Sequence, residues 1–117
     1  ADPGGETNFG ISKRAYPHLN IKNLTQDDAK KIYHSDYWLR AGCDSMEWPL
    51  CLVHLDAAVQ HGVSRAIDFK GKSNGWFDYI FLRIAFYNSI NKTIFLRGWI
   101  NRMIELYRVC RTGQEIT

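Results

Sequence analysis

No run of apolar residues in this chain approaches the ~20 needed to span a bilayer, so membrane insertion is not expected. No basic stretch followed by an apolar one opens it, so no signal peptide is legible. The chain starts without Met and inside a motif, which reads as a processed or truncated product. Cysteine is scarce: Cys43, Cys51 and Cys110 cannot all pair with one another. There is no CxxC and no Cys/His ligand spacing, so neither a structural zinc site nor any other metal or cofactor is expected. Cys51, in an apolar segment, reads as a small buried hydrophobe, while a Cys43–Cys51 or Cys43–Cys110 bridge stays open for an oxidising compartment. Gly71-Lys72-Ser73 lacks the upstream glycine and the leading strand of a phosphate loop and reads as part of a solvated basic connector. Repeats and low-complexity segments are absent.

What is present is an ordinary globular composition, 45% hydrophobic and 23% charged over 117 residues, enough for one domain with one core. The net charge of +3 suits a polyanionic partner such as a bacterial wall, a nucleic acid or an acidic lipid surface, and selects none of them. Nucleic acid is the least expected partner. Lys70, Lys72, Arg97, Arg102 and Arg108 are scattered, and the aromatics lie on helical stripes rather than on a stacking face.

The pattern along the chain is helical. Ser12 to Tyr16 can form one turn before Pro17. Thr25 is an N-cap with Asp27 and Asp28 in the first turn of a helix running to about Tyr37. From Trp48 the chain is apolar nearly all round a helix, with Pro49 at its start and Gly62 just past its end, which marks a buried central helix. His54 and Asp56 must therefore be paired or face a cleft. A short helix is expected over 63–69 and a loop over 70–75. A further helix over 76–88 carries a stripe of Phe77, Ile80, Phe81, Ile84 and Tyr87. The last helix starts at Thr93 and buries Phe95, Leu96, Trp99, Ile100, Met103, Leu106 and Tyr107. Gly98 there implies close packing against a neighbour, and Gly113 opens a fraying tail. The expected fold class is α+β, mainly α: one domain over 1–117, with a small N-terminal β-hairpin and helices around a central one.

The hairpin begins in the chain's most distinctive stretch, Asp2-Pro3-Gly4-Gly5-Glu6-Thr7-Asn8-Phe9-Gly10-Ile11. Pro3 and the two glycines make a rigid turn, and Thr7, Phe9 and Ile11 alternate as in a strand leaving it. Such a turn can hold carboxylates at the rim of an active site, or simply close a surface hairpin.

This stretch resembles the DPGGxTxxGI signature of glycoside hydrolase family 108, a family of bacterial and phage muramidases. Leu55-Asp56-Ala57-Ala58-Val59-Gln60-His61-Gly62 is similar to its central-helix pattern, with Gln60 where Asn is usual. Phe95-Leu96-Arg97-Gly98-Trp99-Ile100-Asn101-Arg102 is similar to a C-terminal F-x-x-GW-x-x-R segment. The resemblance implies a lysozyme-like fold, with 1–62 as the catalytic-type half and 63–117 as helices that could bind the wall. It also implies hydrolysis of the β-1,4 bond from N-acetylmuramic acid to N-acetylglucosamine, with peptidoglycan glycan strands as partner, at the cell wall, in the periplasm or outside the cell. The family's acid is a glutamate upstream of the DPGG turn, a position before Ala1. By the same resemblance Asp2 is the ionised second carboxylate and Thr7 its partner. Glu6, at a variable position of the signature, is the alternative acid. Asn8, Asp56, His61 and Trp76 are candidate sugar contacts. The competing expectation is a wall-binding module without catalysis.

Overall fold

The computed structural model describes residues 5–90 and 92–115, and the chain divides into two compact units, residues 1–36 and 37–117. Among the described residues the first unit pairs strand β1 (Thr7–Asn8) with β2 (Ile11–Ser12), antiparallel, with Thr7 opposite Ser12 and Asn8 opposite Ile11. The two residues between them, Phe9 and Gly10, both have positive φ, 54° and 79°. That is the backbone of a tight two-residue hairpin turn, whose twist matches the strands it joins. Gly10 is required twice over: besides its φ, a Cβ there would lie 2.5 Å from the Tyr33 hydroxyl. Phe9 holds the left-handed conformation at a cost of roughly 1–2 kcal/mol.

Helix α1 (Gln26–Tyr33) starts where the sequence places it. The Thr25 hydroxyl accepts the Asp28 backbone N–H and the Asp28 carboxylate accepts that of Thr25, each at 3.1 Å, a reciprocal capping box. That backbone donor holds the Asp28 carboxyl below its usual range. The α-helix ends at Tyr33, earlier than the apolar pattern implies, and continues as a π-helical stretch over His34–Leu39. The core of this unit is small: Ile11, Ile21 and Ala29 are buried, flanked by half-buried Tyr16, Leu19, Leu24, Ile32 and Tyr33.

The second unit is helical. α2 (Leu50–His61) is followed after Gly62 by α3 (Val63–Lys72), then by α4 (Trp76–Ser89) and α5 (Thr93–Glu115). As expected, α2 lies against the other helices, with Val53, His54, Ala57 and Ala58 fully or almost fully buried. His54 is a core histidine. Its Nε2 lies 2.8 Å from the Ala41 carbonyl and its Nδ1 2.7 Å from the Tyr79 hydroxyl. A carbonyl only accepts, so Nε2 carries the proton of the neutral ring.

Five expectations fail here. The basic connector is shorter than its composition implies, because α3 continues through Lys70-Gly71-Lys72, with Lys72 paired to Asp68 one turn back at 3.0 Å. α5 likewise runs through Gly113 to Glu115 rather than fraying there. The inward face of α4 is Tyr79, Ile80, Arg83 and Tyr87, which leaves Phe77 and Phe81 about half exposed at 49% and 55%. Phe95 on α5 is also exposed. An open space surrounds the Cβ position of Gly98, so close approach does not account for it. The three cysteines are unbridged, and burial pushes the Cys43 and Cys110 thiols up to about 11.

Candidate functional site

The turn residues of the first unit can be placed from Gly5 onward; Asp2 lies outside the described residues. Thr7 is exposed on β1 and its hydroxyl donates to the Gly5 carbonyl at 3.3 Å. Glu6 is exposed, and its carbonyl accepts the Lys13 N–H at 2.7 Å, extending the ladder below Thr7. Asn8 points the other way, as alternation demands. Its amide donates to the carbonyls of Ile21 and Leu24, at 3.1 and 3.5 Å, and ties the hairpin to the loop before α1. Tyr33 donates its hydroxyl hydrogen to the Phe9 carbonyl at 2.8 Å and so clamps the turn. The hairpin is thus a braced platform with the Thr7 hydroxyl on one side and the Phe9 ring at its tip.

In the second unit, Asp56 and His61 from α2 meet around a residue that the sequence reading passed over. Arg83 of α4 is fully buried. Its Nη2 lies 2.7 Å from an Asp56 carboxylate oxygen, and its Nε donates to His61 Nε2 at 3.2 Å. Arg102 of α5 approaches the same carboxylate from a half-exposed position, its Nε donating at 3.1 Å. The Asp56 carboxylate raises the Arg102 pKa in return. One carboxylate thus joins α2, α4 and α5. Arg83 Nη1 is buried and has no partner among the described residues. The clue to Arg83 was available: a guanidinium spaced four residues from Tyr79 and from Tyr87, in an apolar helix, needs a buried countercharge. Trp76 joins a separate aromatic group, stacked on Tyr107 and packed beside Phe77. The groove between α4 and α5, about 280 Å³, is lined by Phe77, Ile80, Phe81, Ile84, Met103, Ile104 and Tyr107. Those side chains offer a sugar little hydrogen bonding beyond the Tyr107 hydroxyl.

His61 is packed edge-on against Phe69 and Phe86. Burial, reinforced by the Arg83 charge, brings its pKa down to about 4 from 6.5. The unfolded chain therefore binds more protons than the folded one between those values. Stability from this residue is complete above pH 6.5 and is lost as pH falls toward 4. Urea unfolding at a series of pH values should show this decline. His61→Asn, which keeps an acceptor for Arg83 but no titrating ring, should make it shallower, leaving the part due to His54, whose pKa burial also lowers; an unchanged slope would remove His61 as a source.

The family model Glycosyl hydrolase 108 matches residues 1–62, more than half of the chain. The chain belongs to glycosyl hydrolase family 108. No curated protein and no solved structure matches it. The matched part of this family 108 chain carries the turn, α1 and α2, and therefore Asp2, Thr7, Asn8, Asp56 and His61. Trp76, Arg83 and Arg102 lie beyond it. By family, its chemistry is hydrolysis of a glycosidic bond.

Proposed function

We propose that this chain is a peptidoglycan N-acetylmuramidase acting at the bacterial wall, in the periplasm or outside the cell, on the β-1,4 bond from N-acetylmuramic acid to N-acetylglucosamine. The observation that carries the reading is the family match over 1–62, which includes the whole Asp2-Pro3-Gly4-Gly5 motif. Glycoside hydrolysis requires a protonated carboxyl at the leaving oxygen, and a second carboxylate that serves as nucleophile, activates water or stabilises the oxocarbenium charge. Asp2 is the second group in this proposal. Thr7, two residues beyond Gly5 on the braced hairpin, orients Asp2 or the attacking water. The acid is the family's upstream glutamate.

A second reading, a wall-binding module without catalysis, draws support from two carboxyls. An acid that keeps its proton near neutral pH needs a partly apolar pocket, and Glu6 is exposed to water. The Asp56 carboxylate is taken up in ion pairs with Arg83 and Arg102.

The test is digestion of purified peptidoglycan by the protein. It should release fragments with N-acetylmuramic acid at the new reducing end. N-acetylglucosamine at that end would replace muramidase by glucosaminidase. Sedimentation with the wall and no release of fragments would favour the binding module.

A further inference from the structure

Phe9 is the one non-glycine residue with positive φ among the described residues. Strain of this kind persists where the surroundings enforce it, and here the Tyr33 hydroxyl holds the Phe9 carbonyl. Burial does not explain the residue. Its side chain is 48% exposed and is not part of the small core formed by Ile11, Ile21 and Ala29. The turn does not explain it either. A two-residue turn with positive φ at both positions favours asparagine followed by glycine, and asparagine adopts the left-handed region far more readily than phenylalanine. The chain thus keeps an aromatic ring where it fits the backbone poorly and leaves it facing water.

The position of the ring indicates its use. Thr7 and Asn8 lie on the strand that leads into it, and β2 and Tyr33 hold the turn from the other side. A pyranose presents a face of C–H bonds, each slightly positive, and an aromatic ring presents a negative face. A ring fixed on a braced turn meets that face without losing the motion that a flexible loop would lose.

We propose that Phe9 is a sugar-stacking residue, holding a pyranose of the glycan strand beside the Thr7 strand. The proposal rests on the peptidoglycan reading above and adds a binding contact to it. Phe9→Asn is the informative variant, because it suits the turn and removes the ring. The 117-residue chain and its variants are tested for binding to purified peptidoglycan and to a soluble β-1,4-linked N-acetylglucosamine oligomer, with thermal melting alongside. Phe9→Asn should melt at a higher temperature yet bind about tenfold more weakly. Phe9→Tyr should bind like the original, and Phe9→Leu should bind like Phe9→Asn. Unchanged binding by Phe9→Asn, with the parent chain binding normally, overturns this proposal alone. A lower melting temperature for Phe9→Asn also overturns it, making the ring a packing residue. Failure of the parent chain to bind either glycan overturns it together with the reading on which it rests.

Discussion

Asp56→Ala is expected to destabilise the protein by about 3–5 kcal/mol, the usual cost of leaving a buried charge without its partner. The charge in question is Arg83, which has no access to water and meets a carboxylate only at Asp56 among the described residues. Arg102 retains partial contact with solvent and should tolerate the loss. Replacing both buried partners distinguishes charge from packing. In Asp56→Leu/Arg83→Met, neither buried charge remains and much of the volume is kept, so most of the stability should return. Urea denaturation of the two single variants and the double variant measures this directly. If Asp56→Ala unfolds at the parent's urea midpoint, the carboxylate is not the countercharge that holds α4 against α2.

The second large effect concerns rate. In a catalytically active form of the protein, Asp2→Ala or Thr7→Ala should lower the initial rate of reducing-end release by about 10²-fold or more, as for groups acting directly in general acid–base chemistry. Wall binding should change little in either variant, which separates a role in the chemistry from a role in holding the glycan. Near-parental rates for both would reduce Asp2 and Thr7 to residues that shape the turn.

The features that the sequence discloses are those set by near neighbours. Thr25 and Asp28 are three residues apart and settle the start of α1 between themselves. Gly62 follows from the end of α2, and the burial of α2 from its lack of a polar face; the alternation over Thr7–Ile11, read as one strand, is instead broken by the turn at Phe9-Gly10. The ion cluster is different in kind. Asp56, Arg83 and Arg102 come from three helices, and no periodicity in any one of them signals the other two. Their pairing also upsets the local pattern. α4 turns Arg83 inward toward Asp56, and the face carrying Phe77 and Phe81, apolar enough for a core stripe, is left facing out. For the candidate site, motif spacing singled out Thr7 and Asn8. The Tyr33 clamp, and the strain it imposes on Phe9, depend on a contact between α1 and the turn that spacing alone does not encode.

The hairpin also belongs to the part of the chain with the least apolar burial to hold it. Among the described residues, three buried ones support the first unit, against the thirteen in the core of the second. Local opening is governed by such differences, and regions of sparse burial exchange their backbone hydrogens with solvent long before a packed helix does. The platform carrying Thr7 and Phe9 should therefore visit open states while α2 stays closed. A glycan seated on that platform would slow its exchange and leave that of α2 untouched, so amide exchange would report where a glycan sits.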